Sequence, residues 1–128
     1  MEQLKIGYLR TEQQEQFLEW VNATPGNLFD RDILKAPTLS VLCSYNGSPV
    51  AYLPMQQALV LESLAVNQAA TLMDKGQAFR DLVKGAEQHA SSHKIRELYM
   101  PCEDERVIRV AENHGFERLK WPVLRMKL

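Results

Sequence analysis

A few places in this 128-residue chain carry side chains able to do chemistry. Glu62 is an acid inside the run Ala58 to Val66, which is apolar apart from Glu62 and Ser63. A carboxylate buried in such a run holds its proton more tightly and becomes a stronger base. Paired with Lys or Arg, or left in water, it is an ordinary sheet residue. His89 and His93 stand four apart, a spacing that metal sites use on one helix face. No third ligand is evident, so we expect no metal; histidines near a helix C-terminus are favourable through the dipole alone. Cys102 leads into a helix start, where a thiolate gains stability. Glu103, Asp104 and Glu105 follow it directly and oppose that charge. Asp74 and Gln77 have the spacing of a capping box.

These residues need elements to hold them. Leu4 to Leu9 alternates as a first strand, and Thr11 precedes a helical face of Gln14, Phe17, Leu18 and Val21. Thr24-Pro25-Gly26-Asn27 breaks that helix, residues 28–35 suit a short second one, and Pro37 ends it. Leu39, Val41, Cys43 and Tyr45 alternate as a second strand. Asn46-Gly47 then signals a type I′ hairpin into a third strand at 49–56. The apolar run 58–66 predicts a fourth, central strand covered on both faces. From Asp74 to about Ala90, the stripe Phe79, Leu82, Val83, Ala86 and Ala90 predicts a helix. Ile95 to Met100 reads as a fifth strand. Glu103 to His114 reads as a helix with Val107, Ile108 and Ala111 inward, and Gly115 suits its end. Phe116 to Trp121 and Val123 to Leu128 read as two last strands, divided by Pro122. The expected fold is α/β (α+β), a mixed, mostly antiparallel sheet of about seven strands with helices on both faces. We expect one domain over residues 1–128.

Two stretches carry a family resemblance. One is Leu61-Glu62-Ser63-Leu64-Ala65-Val66, followed after a loop by Gly76-Gln77-Ala78-Phe79-Arg80-Asp81-Leu82-Val83. It resembles the central strand, pyrophosphate loop and following helix of the GCN5-related N-acetyltransferases. The other, Asp104 to Phe116, resembles that family's closing helix ending in Gly-Phe. The resemblance implies an acyl-CoA N-acyltransferase-like fold and transfer of an acetyl group from acetyl-CoA to an amine. It implies a central strand splayed from its neighbour, with backbone at Leu64, Ala65 and Val66 facing the pantetheine arm. It places the pyrophosphate near Asp74, Lys75, Gly76 and Gln77, at the start of a helix whose first N–H groups attract an anion. It puts Glu62 near the position of a general base. Asp104 stands where the family often has an asparagine near the cofactor arm, although its residue type also predicts a plain helix cap.

The sequence departs from that family pattern in three places. The family loop carries Arg or Gln where this chain has Thr71, and glycine where it has Asp74. A carboxylate there repels pyrophosphate, and Lys75 offsets part of this. If Asp74 caps the helix, the helix also fills its own anion site. A tyrosine that often serves as general acid stands four residues before the family's glycine; here that residue is Ala111. The expected function is therefore an acetyl-CoA-dependent N-acetyltransferase-like protein acting on an unidentified amine, weak or inactive. The alternative is a catalytically inactive binding or regulatory module on the same fold.

Composition sets the remaining bounds. Fifteen Lys and Arg against sixteen Asp and Glu give a net charge of -1, which argues against a nucleic-acid partner. No apolar run reaches the length of a membrane span, and Met1 to Lys5 lacks a signal-peptide core, so we expect a cytoplasmic protein without a membrane partner. Cys43 and Cys102 are expected as thiols. Arg118, Lys120, Arg125 and Lys127 recur at alternate positions, as on a solvated strand face or one meeting an acidic partner or the CoA 3′-phosphate region. Leu72 and Met73, unusual in a phosphate loop, fit packing or a protein contact. A small-molecule or protein amine is the expected acceptor, with a protein partner or homodimer as a further expectation.

Overall fold

The segment 40–55 folds as a hairpin because its apolar residues alternate and its turn supplies a glycine. In the computed structural model, which describes residues 5–23, 34–120 and 122–128, β2 (Ser40–Asn46) and β3 (Ser48–Met55) pair antiparallel. The turn is tighter than type I′. Gly47 alone in it has positive φ, at 76°, and Asn46 lies directly opposite Ser48. The register shifts at Ser44/Tyr45, so Val50 has no partner across the ladder. This bulge absorbs the extra residue of β3. β1 (Lys5–Tyr8) pairs antiparallel with the other side of β2, giving the order β1-β2-β3.

The described chain divides into two compact units. The first comprises residues 1–59 and 87–98. A 3-10 turn at Thr11–Gln13 leads into α1 (Gln14–Ala23), so Thr11 lies inside the turn rather than capping it. One face of the three-stranded sheet carries Val41, Cys43 and Tyr52. Phe17 of α1 meets Tyr52 edge to face at 5.6 Å, and Trp20 meets it at a tilt of 52° at 5.2 Å. Cys43 is fully buried, and the Tyr52 hydroxyl donates to Gln16 Oε1 at 2.6 Å. Burial, then the nearby Cys43 and Tyr45, push the Tyr52 phenol up, so it remains a hydrogen-bond donor. The opposite face carries Ile6, Tyr8, Leu53 and Met55, all exposed.

The second unit comprises residues 60–86 and 99–128. The helix α2 (Leu72–Ser92) runs across the boundary between the units. Within the second unit Phe79 and Val83 of α2 bury against Ala111 of α3 (Glu105–Asn113), with Met100 and Phe116 packed around them. Of the predicted α2 stripe, Phe79, Val83 and Ala90 are buried, whereas Leu82 is exposed. α3 ends as its glycine predicts. Gly115 has φ 98°, and the N–H of Phe116 donates back to the Ala111 carbonyl at 3.1 Å, the Schellman arrangement.

Two expectations are corrected. The run 58–66 is not a central strand. Only β4 (Leu59–Val60) is regular, and it pairs only with β5 (Leu98–Tyr99) in a two-stranded sheet. The bonds Leu59 N–H to Glu97 O and Leu61 N–H to Tyr99 O advance together, so the pairing is parallel. The next rung in that register would need an N–H from residue 101, which is proline and has none. The apolar run thus loses its partner at Leu61. Secondly, residues 116–120 and 122–128 form no strand, so five strands stand among the described residues instead of about seven. Phe116 is drawn into the core, Arg118 toward α3, and alternation alone supplies no partner edge. Of the short helix expected at 28–35, residues 28–33 lie outside the described residues, and 34–35 are in 3-10 conformation. Leu4 of the first strand and Trp121 of the sixth also lie outside them.

Candidate functional site

All residues expected at the cofactor and the reacting centre belong to the second unit: Glu62, Leu64 to Val66, Asp74 to Gln77, and Asp104. Where the parallel pairing stops at Leu61, the chain continues through residues 62–66 without regular structure. Leu64 is exposed, Val66 is half-buried, and the backbone of this stretch is outside any ladder. Glu62 is exposed and has no ion-pair partner among the described residues. The solvated alternative for this carboxylate is therefore the one seen, and the burial that a strong general base draws on is not supplied.

The start of α2 differs from its expected form. The helix begins at Leu72, and Thr71 is its cap: the Asp74 N–H donates to Thr71 Oγ1 at 3.1 Å. Lys75 N–H closes the first helical bond on the Thr71 carbonyl at 3.0 Å. Asp74 is thus an exposed first-turn residue and not the cap, which corrects the Asp74–Gln77 capping box. A hydroxyl three residues before the carboxylate already meets the geometric need, so the carboxylate is free. Gln77 instead joins Asp81 and Arg80 through its side-chain amide, at 2.9 Å each. The N–H groups of Leu72 and Met73 have no partner among the described residues. They are the orphan donors of this helix and the place where an anion gains most. Around Gly76 nothing lies within 4 Å of where a Cβ would stand, leaving open room beside the first turn. Lys75 Nζ reaches the Gln68 carbonyl at 3.5 Å.

The start of α3 carries a carboxylate cap. Asp104 Oδ1 accepts from the Arg106 N–H at 2.9 Å, and the Arg106 guanidinium approaches Oδ2 at 3.5 Å. The backbone bond from Arg106, followed by its side-chain bond, holds the Asp104 carboxyl below its ordinary value. The plain-cap expectation for Asp104 is met. Ala111 is 2% exposed and faces Phe79 and Val83, so the helix position at which the family often carries tyrosine is core here. Arg118 pairs with Glu105 at 3.0 Å and Glu112 at 3.6 Å. These carboxylates hold the guanidinium proton more firmly, Glu105 through a hydrogen bond first. Arg118 is therefore turned to α3 instead of sharing an outer strand face with Lys120.

The remaining candidates resolve simply. Both cysteines are thiols; Cys102 Sγ points to the Asp104 carbonyl at 3.7 Å. The rings of His89 and His93 lie 4.4 Å apart, with His93 Nδ1 at 2.8 Å from the His89 carbonyl. Among the described residues no His, Cys, Asp and Glu group is arranged to hold a metal ion. No described helix is long and apolar enough to cross a membrane. Residue-type reasoning missed Thr71 as cap, the bare N–H groups of Leu72 and Met73, and Pro101 as the stop of the ladder. The Thr-x-x-Asp spacing and the proline after Met100 were the signals.

No protein-family model and no curated protein matches this sequence. Among solved structures, similarity extends to AAC(6')-Iy in complex with the bisubstrate analog CoA-S-monomethyl-acetylneamine, at 16% identity over 99% of each chain, with a TM-score of 0.43. An integron cassette protein from the mobile metagenome of V. cholerae is similar at 13% identity over 99% of this chain and 94% of that one, with a TM-score of 0.45. Ribosomal-protein-alanine N-acetyltransferase from Brucella melitensis biovar Abortus is similar at 13% identity over 98% of this chain and 100% of that one, with a TM-score of 0.40. Likenesses this loose assign neither fold nor function, and the reading that follows uses this chain's own residues.

Proposed function

We propose that this chain is an N-acetyltransferase-like protein that binds acetyl-CoA along residues 64–66 and at the start of α2. One observation carries the reading: a parallel strand pair ends at Leu61, and the chain then runs unpaired toward a helix start with two bare N–H groups. The unpaired backbone of Leu64, Ala65 and Val66 supplies amide groups of the kind a pantetheine arm bonds. The Leu72 and Met73 N–H groups, with the helix dipole behind them, suit a pyrophosphate. The open space at Gly76 lets such a group come close. Lys75 adds a positive charge, and Asp74 weakens the site by repulsion.

Acetyl-CoA, when bound, supplies a thioester carbonyl and a thiolate that can leave. The residues of this chain have the tasks of holding it and taking the amine proton. Glu62, just beyond the end of the strand pair, is the acceptor of that proton in this reading. Being exposed, it works without the advantage of burial, and no tyrosine at 111 assists the leaving thiolate, which together lower the rate by roughly 10² or more. The burial of Ala111 specifically favours the second reading, an inactive module that binds without transfer.

Titration of isotope-labelled protein with acetyl-CoA tests the site. The expected result is saturable amide shifts at Leu64 to Val66 and at Leu72 and Met73. Shifts confined to other segments, or none, would remove the reading. Acetyl transfer to a polyamine, lost in Glu62→Gln, would support the enzyme; binding without any transfer would support the inactive module.

A further inference from the structure

The three-stranded sheet of the first unit has two outer edges, and they are unlike. Leu9 N–H donates to the Val41 carbonyl at 2.8 Å, which fixes the phase of the β1–β2 ladder. In an antiparallel pair the bonded positions alternate, so Gly7 and Lys5 face β2 with their backbone groups, while Ile6 and Tyr8 turn theirs outward. The same phase on the β3 side makes Tyr52 and Pro54 the outward residues. Pro54 has no N–H, so that edge is blunted in the way natural sheets discourage strand addition. Among the described residues nothing pairs with the β1 edge, which keeps both donors and both acceptors, at residues 63% and 70% exposed.

Beside this open edge lies a groove of about 1100 Å³. Lys5 and Arg10 line it, and none of its lining residues is acidic. The Arg10 guanidinium lies 5.9 Å from the centre of the Tyr45 ring, a cation–π distance. Gln13 bridges the Arg10 backbone and the Tyr45 ring: its Oε1 accepts the Arg10 backbone N–H at 2.9 Å, and its Nε2 donates to the Tyr45 hydroxyl at 3.3 Å. Gly7 leaves the Tyr45 ring uncovered, since a Cβ there would stand 3.5 Å from Cε2. Neither Lys5 nor Arg10 has an ion-pair partner among the described residues.

We propose that the β1 edge accepts an acidic peptide in extended form, which adds as a further strand and sets carboxylates beside Lys5 and Arg10. Backbone bonds to Ile6 and Tyr8 supply the affinity, and the two cations select the charge. The charge argument also decides against a second copy. Two β1 edges would bring Lys5 and Arg10 against themselves, and the C-terminal segment bears Arg125 and Lys127. This inference is independent of the acetyl-CoA reading, which concerns the other unit.

The test uses the full chain, isotope-labelled, and a blocked peptide of alternating glutamate and valine. The expected result is saturable shifts and slowed exchange at the Ile6 and Tyr8 amides, weakened by salt. Lys5→Glu with Arg10→Glu is expected to weaken binding about tenfold or more. Ile6→Pro, which removes an outward N–H and leaves the β2 ladder intact, is expected to weaken it with the same far-ultraviolet spectrum as the parent. Should the proline variant fail to fold, the charge pair still decides. The proposal is overturned if millimolar peptide leaves Ile6 and Tyr8 unmoved, if a lysine-valine peptide binds equally, or if charge reversal has no effect. Tighter binding of a thymidine oligonucleotide at the same amides would also overturn it, assigning the groove to nucleic acid.

Discussion

α2 and α3 are finished alike at their C-termini and differently at their N-termini. Each ends in a Schellman arrangement: Ile95 N–H returns to Ala90 O at 2.8 Å after α2, and Phe116 N–H to Ala111 O at 3.1 Å after α3. The residue in the left-handed conformation is Lys94 (φ 60°) in the first and Gly115 (φ 98°) in the second. At their starts, a neutral hydroxyl caps α2 and a carboxylate caps α3. A helix end that only has to stop can be built from backbone alone. A helix start also decides what charge it will accept: the α3 cap places a carboxylate there, whereas the α2 cap is neutral.

The largest effect is expected where the comparison rests on one residue. Gly115→Ala should cost about 1–2 kcal/mol, because φ 98° is strained for any side chain. The loss is conformational, since nothing lies within 4 Å of the added Cβ. Chemical denaturation would measure it, and an unchanged midpoint would mean that the helix end relaxes.

Next come the two caps. Thr71→Ala should cost about 1 kcal/mol at every pH. Asp104→Ala should cost stability only while the carboxylate is charged. Its folded pKa lies below the unfolded one, so its contribution is full above the unfolded value of about 3.9 and fades as pH falls through the folded value. Thermal melts from neutral pH to pH of about 3 would show the two variants diverge, Asp104→Ala approaching the parent at the acid end.

The smallest effect is at the other helix end. Lys94→Gly should stabilise by less than about 1 kcal/mol, because relief of the left-handed strain is partly offset by the greater freedom of glycine in the unfolded chain. A lower melting temperature would show that the lysine stem contributes packing that outweighs the strain.

Legibility in the sequence followed the locality of the signal. The β2–β3 hairpin, the α2 and α3 spans and the Gly115 stop are set by residues within a turn of each other. The run 58–66 was misread because hydrophobicity reports a wish for burial and not a partner. Its ladder is cut by Pro101, some forty residues away in the chain. The last two strands failed for the same reason, since alternation at 116–128 names faces without naming a neighbour. In the candidate site, the family pattern marks Thr71 as the place of a missing Arg or Gln, whereas its three-residue spacing to Asp74 is the signal of a cap. Glu62 was legible as an acid in an apolar run, but its exposure followed from the ladder's end, which local sequence does not state.

The central claim is that the bare start of α2 binds the pyrophosphate of acetyl-CoA and that Asp74 opposes it. Asp74→Asn keeps the Thr71 cap and the side-chain shape while removing the charge. Calorimetric titration of parent and variant with acetyl-CoA, at low and high salt, tests the claim most directly. The expected result is several-fold tighter binding by the variant at low salt, with the gain shrinking at high salt as the exposed charge is screened. Equal affinity in the two proteins, or no binding by either, would contradict it.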